Sequence, residues 1–308
     1  MDEKNFAMSP LADPVINAIF TDVEKAGLAA ESLVRVILAD GTDKEKVKLG
    51  KIISVTPQRV HSLVGERGCR IDVETKTDEN EHVIVEVQIY PDSHIYQRDI
   101  FDSARIFTET STPGTTSDKM AVKMPKVIII NILNYTVRDT QSDVIQPVKL
   151  FYEKPPLEVA MREFSVYNVQ LSRFREIEPD WNNELHYWLY ALNTAHSEKK
   201  SLKEVLEMSP VLQEYASRDA GFNQFCERYN LVAGDRDLRK EYMDWYSEQL
   251  RFTGMMEAAE MKGEARGEAR GEANERRKNI LLLKKSNEMT NEKIAVLFDM
   301  SVDEVENI

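Results

Sequence analysis

Residues 68–90 read GCRIDVETKTDENEHVIVEVQIY, and the alternation within them decides the fold. In an extended chain, side chains two apart share a face. Residues 68–76 and 82–90 alternate or are continuously apolar, and the polar segment Thr77 to Glu81 joins them. This predicts a β-hairpin. If Thr77 and Glu81 flank a three-residue loop, Val73 pairs with Val85 and Asp72 stands opposite Glu86. Val73, Val83, Val85 and Val87 then fall on one side, and Asp72, Glu86 and Gln88 on the other. The register that packs the core also brings two acids together.

Two opposed carboxylates repel each other unless a cation lies between them. Oxygen ligands completed by water suit Mg²⁺ or Mn²⁺. Such an ion can orient a water and offset charge building on a phosphate. Gln88 would face the same site; its amide can hold a water or a phosphate oxygen but brings no positive charge. The competing reading is an ordinary acid pair on an exposed strand, in a chain with 53 acidic residues. The apolar setting of VIVEVQIY favours the ion, because a charge embedded there needs a partner.

Outward from the hairpin, residues 13–40 are expected to be helical. Asp13-Pro14 reads as an N-cap followed by proline, and Ile16, Ile19, Phe20 and Val23 recur at helical spacing. A second helical stretch, AAESLVRVIL, ends before the turn pair Asp40-Gly41. The period becomes two from Lys46 to Tyr90. Downstream, 95–110 returns to helical spacing through Ile95, Ile100, Phe101, Ala104 and Phe107. VIIINIL (127–133) reads as a buried strand, and further short strands are expected at 147–152 and 164–170. Strands alternating with helices predict an α+β domain, a mixed sheet flanked by helices, over residues 1–175. Residues 176–255, with Trp181, Trp188, Phe222, Phe225 and Trp245, read as an all-helical domain. In 256–308, an exact repeat begins at Gly263-Glu-Ala-Arg and continues to Ala273, reading as a marginal solvated helix or a linker, since glycine costs about 1 kcal/mol relative to alanine. Thr290 and Ser301 are expected to cap two short terminal helices.

The net charge of −13 and a pI near 5.0 oppose long-range attraction to nucleic acid. Lys44, Lys46, Lys48, Lys51, Arg59, Arg67 and Arg70 nevertheless face only Glu45 and Glu66 between residues 44 and 70. That run reads as either a DNA-binding face or an exposed charged loop. Cys69 and Cys226 match no zinc or redox spacing and read as reduced thiols of a cytoplasmic protein. No secretory signal or membrane span is expected, the longest apolar run being far too short. His61 and His94, without ligand partners in the pattern, read as surface residues.

At these residues the sequence resembles the PD-(D/E)XK nuclease superfamily, whose signature is an Asp and then an acid-x-lysine on the next strand. It resembles more closely the recombination-promoting nuclease (Rpn) and transposase family, in which Gln commonly replaces that lysine. Asp13-Pro-Val-Ile-Asn-Ala-Ile-Phe20 resembles the opening helix, Arg70-Ile-Asp-Val73 the Asp strand, and Val85-Glu-Val-Gln88 the Glu-x-Gln strand. Arg98, with Phe101 and Ser103, falls where the family has an Arg-containing helix, and KVIIINIL and the charged tail follow in order. Asn17 stands where the family often has lysine, and STPGTTSDKM departs from its Gly-x-x-Tyr segment. The resemblance implies divalent-metal-dependent DNA cleavage supporting recombination or element mobility, with Asp72 and Glu86 binding Mg²⁺ or Mn²⁺ and Gln88 positioning water or phosphate. Asp13 is a weaker candidate, for which a capping role alone is the favoured reading. Arg98 would contact phosphate or pair with an acid such as Asp102; Arg70 and Lys51 complete the substrate-binding candidates.

Two rival readings stand beside the endonuclease. A catalytically inactive nuclease fold would serve binding or assembly, as a homo-oligomer through its helical C-terminal half. A DNA regulator acting through 290–308 is opposed by six acidic residues against one basic from 286 on.

Overall fold

The computed structural model describes residues 7–21, 23–41, 49–61, 69–109, 116, 118, 124–137, 143–155, 158–286 and 289–308. Lys44, Lys46, Lys48, Arg67 and most of STPGTTSDKM lie outside the described residues, as do the side chains of Arg59, His61, Cys69 and Arg70. The chain forms two compact units, Met1–Met243 and Asp244–Ile308.

The first unit is built on a mixed six-stranded sheet: β1 (Ile52–His61), β2 (Cys69–Thr77), β3 (Glu81–Gln88), β4 (Lys126–Leu133), β5 (Ile145–Phe151) and β6 (Val159–Gln170), in the order β1-β2-β3-β4-β6-β5. The pairs β1/β2, β2/β3 and β5/β6 are antiparallel, whereas β3, β4 and β6 run parallel. Val73 pairs with Val85, as alternation predicts, and Asn80 closes the three-residue turn at φ 60°. Asparagine is one of the few residues that tolerates that left-handed conformation.

Parallel neighbours need a crossover, and between β3 and β4 it contains α3 (Ile95–Glu109). Ile106 of α3 packs into a cluster with Ile84, Val127, Ile129, Phe164 and Val166. Val73, Val83, Val85, Val87, Ile128, Ile130 and Ile132, on the opposite face by alternation, are buried as well. This explains why β3 and β4 read as continuously apolar.

The helical face of α3 departs from the periodicity. Ile100 and Phe101 are 58% and 47% exposed, and Ala104 is exposed too, whereas Asp99, Asp102 and Ser103 are buried. The helix turns its acidic side to the sheet because the sheet offers polar groups there.

Helices α1 (Asp13–Ile19) and α2 (Val23–Gly41) pack on the strands, α1 on β1 and β2 and α2 on β1, β5 and β6. Ala12 holds the cap position of α1, so Asp13 is its first helical residue rather than its N-cap, with Pro14 beside it. Helices α4 (Leu171–Phe174), α5 (Glu184–Ser197), α6 (Leu202–Met208), α7 (Pro210–Arg218) and α8 (Ala220–Ala233) belong to the same unit as the sheet. A Cβ at Gly221 would run into the Leu28 carbonyl and Ser32 Cβ, so α8 approaches α2 this closely only because that residue is glycine. Asp219 caps α8 at Phe222 N (2.7 Å) and accepts from Ser32 Oγ of α2 (2.9 Å). Cys226 is a buried free thiol whose pKa burial pushes up to about 12.

Helix α9 (Arg236–Ser286) carries the chain into the second unit, and its repeat segment is helical and exposed throughout. The unit's own small core joins Ile280 to Ile294, Ala295 and Val305 of α10 (Asn291–Leu297) and α11 (Val302–Glu306). Ser301 and Glu304 form a capping box, whereas Thr290 occupies its cap position without a side-chain cap bond. Among the described residues no helix is long and apolar enough to cross a membrane.

Candidate active site

The β2–β3 ladder runs from Lys76–His82 to Val73–Val85 and stops there. Beyond it the strands are joined by side chains. Glu86 Oε1 accepts from Asp72 N–H at 3.0 Å, and Asp72 Oδ2 accepts from Val87 N–H at 3.1 Å. Each acid therefore clasps the backbone of the other strand, and the two expected carboxylates meet where β2 and β3 part.

The surroundings make the pair electrostatically strained. Glu86 is 3% exposed. Burial and the neighbouring Asp72 push its carboxyl well above the usual range, while the Asp72 amide and Arg98 pull it back. The guanidinium of Arg98, on the first turn of α3, reaches Glu86 Oε2 with Nη2 at 3.2 Å. Its Nη1 lies 3.2 Å from Asp92 Oδ2 and 3.4 Å from Gln88 Oε1. Burial opposes the charge on Arg98, yet Glu86, Asp92, Asp102 and Asp99 hold its pKa above the ordinary value.

Behind the pair a polar row crosses the sheet. Glu86, Asn131, Asn168 and Gln146 occupy matched positions on β3, β4, β6 and β5, all buried. Asn131 Nδ2 donates to Asp99 Oδ2 of α3 and to Asn168 Oδ1, both at 3.0 Å, and Asn168 Nδ2 donates to the Tyr96 hydroxyl at 3.2 Å. Asn131 Oδ1 receives no donor among the described residues. Burial raises Asp99 to about 7, against the pull of Asn131 and Arg98. These bonds fix α3, and with it the origin of Arg98, over Glu86.

Asp72, Glu86, Gln88 and Arg98 thus converge. Lys51 does not join them: it is exposed at the start of β1, its amide bonded to Asp78 in the hairpin turn. Asp78 lies six residues along the chain from Asp72, about 20 Å in an extended strand. Asp13 is half-buried in the first turn of α1. Asn17, four residues on, is buried with neither amide atom hydrogen-bonded among the described residues. Asp92, Asp99, Asn131 and Asn168 escaped the sequence reading. The signal was a lone asparagine inside KVIIINIL and another inside VYNVQ, because a polar group in a buried strand demands partners.

Among the described residues no group of three or more His, Cys, Asp or Glu side chains is placed to hold an ion. Two carboxylates and an amide oxygen do converge, and they are hard oxygen donors of the kind Mg²⁺ and Mn²⁺ prefer. Burial of Glu86 beside Asp72 makes its ionised form costly, and a cation there would relieve that cost, so the donor set fits a divalent ion. A family model described as PD-(D/E)XK nuclease family transposase matches residues 31–249, which contain this entire cluster but not Asp13. No curated protein and no solved structure matches the chain.

Proposed function

Because this chain belongs to the PD-(D/E)XK nuclease family transposases, we propose that it is a DNA endonuclease using a divalent ion held by Asp72 and Glu86. The observation that carries the reading is the reciprocal clasp at the end of the β2–β3 ladder, which keeps two carboxylates adjacent with one of them buried. A divalent ion bound there supplies Lewis acidity that offsets charge developing on the scissile phosphate. Asp72 and Glu86 would provide its oxygen ligands. Gln88 would orient the attacking water or a phosphate oxygen through its amide. Arg98 would contribute positive charge at the same edge. Asp13, Arg70 and Lys51 are secondary candidates for holding DNA, and the description of the family supports a part in recombination or element mobility.

Asp72→Asn and Glu86→Gln test the reading. Each amide keeps an oxygen that can accept the backbone N–H, so the fold is preserved while the charge is lost. Nicking of supercoiled plasmid in Mg²⁺ or Mn²⁺ should fall by on the order of 10³-fold, or ~4 kcal/mol of transition-state stabilisation. A folded variant that cuts as fast as the parent would remove the site.

A non-catalytic binding role is the second reading, favoured by the lack of a three-acid cluster among the described residues and by the neutral Gln88. Its mark would be a parent that binds DNA but nicks it with neither ion. Assembly into a homo-oligomer would use exposed apolar positions of α9 such as Met256, Met261 and Leu282. An unchanged sedimentation coefficient after truncation before Met256, beyond that expected from the lost mass, would exclude the tail from assembly.

A further inference from the structure

Arg98 occupies an unusual position for a substrate-binding residue: its guanidinium is already committed to Glu86, Gln88 and Asp92. The two members of its pair with Glu86 differ in freedom. The Glu86 side chain is 4% exposed and the Arg98 side chain 42%. Withdrawing the carboxylate would open the core; swinging the arginine outward would not. The backbone that carries it is fixed by its neighbour, since Asp99 accepts from Asn131 at 3.0 Å and Ser103 Oγ bonds back to the Asp99 carbonyl at 2.7 Å. Only the side chain is left to move.

We propose that Arg98 is an exchangeable internal cation. It neutralises Glu86 at rest and gives way when a divalent ion is taken up by Asp72 and Glu86. It then supplies, beside Gln88, the positive charge for a DNA phosphate that a neutral amide lacks. This rests on the metal-site reading above. The physical basis is linkage: two cations that compete for one carboxylate are negatively coupled, and the coupling is reciprocal. The pairing with Asp92, outside the acid pair, gives the guanidinium a partner to keep when it releases Glu86. Its planar fork can engage a phosphate through two N–H groups at once.

Calorimetric titration of the full-length protein with MnCl₂, together with plasmid nicking, tests this on the parent, R98A, R98K and E86Q. R98A should bind Mn²⁺ about tenfold more tightly, within the usual range of coupling between sites, and nick at least about tenfold more slowly. R98K, which keeps the charge without the fork, should fall between in both. Opposite signs in binding and cleavage are the signature, because a purely structural arginine would weaken both. Mn²⁺ binding that is unchanged or weaker in R98A overturns the exchange, and the ion site itself survives if the parent binds and E86Q does not. Uptake by R98A alone would support the exchange strongly. Tighter binding with undiminished nicking would overturn the phosphate role. If neither parent nor R98A takes up Mn²⁺, the ion site falls and this proposal with it.

Discussion

Glu86 and Glu268 are the same side chain in two settings, one sealed between β2, β4 and α3, the other on the open repeat of α9. Around Glu86, acids, an arginine and two asparagines are tied by hydrogen bonds in a largely buried setting. Around Glu268, charges alternate along one exposed helix, and a Cβ at Gly263, Gly267 or Gly271 would touch nothing within 4 Å. Charge density is similar; consequence is not. In water, neighbouring charges are screened and an exposed pair contributes little. Away from water, the same charges shift one another's protonation and fix the position of a helix.

That contrast can be broken or sharpened by experiment. The largest effect is expected at Asp99, whose folded pKa of about 7 exceeds that of an unfolded carboxyl. Well below about pH 4 the group is protonated in both states and costs nothing. As pH rises towards 7 the unfolded chain ionises first, so the protein loses stability, by on the order of 4 kcal/mol, and the loss levels off above the folded pKa. Asp99→Asn should make this slope shallower in urea melts between pH 4 and 8, leaving the part that belongs to Glu86, whose carboxyl is raised as well. An identical slope in the variant would mean Asp99 is not the buried acid described.

Next in size is Asn131→Leu, which leaves the Asp99 carboxylate without its amide donor and should cost about 2–3 kcal/mol at pH 8. The penalty should shrink at pH 5, where Asp99 is protonated. A pH-independent cost would point to packing instead.

In the repeat the expected sign reverses. Replacing Gly263, Gly267 and Gly271 by alanine should stabilise the helix by about 1 kcal/mol each, visible as a higher melting transition of the second unit. Mn²⁺ uptake and nicking should not change, and a loss of either would show that the repeat serves the site. Smallest of all, Arg270→Gln should leave the unfolding midpoint where it is. A measurable shift there would mean that some of those charges are covered by a partner.

Much of this was legible from the chain. Alternation in 68–90 set the hairpin, its three-residue turn and the Val73–Val85 register, because one slip would send every valine to the wrong face. The meeting of Asp72 and Glu86 followed from that register. The face of α3 did not: Ile100 and Phe101 promised an apolar seam, and the helix instead buries Asp99, Asp102 and Ser103. Periodicity cannot reveal this, because the face a helix buries depends on what the sheet presents. Asn131 lies 32 residues from its partner Asp99, and Asn168 lies 72 residues from its partner Tyr96. Only β4 and β6, once in place, bring them together.

The sequence by itself determined the β2–β3 hairpin, its register and the adjacency of two acids, since these depend on a period of two that is written locally along the chain. Only the tertiary structure decided which side of α3 faces inward and where Arg98 points. Those outcomes depend on polar groups from β4 and β6 that come to α3 only when the sheet is assembled, and burying them without partners would cost more than exposing Ile100 and Phe101.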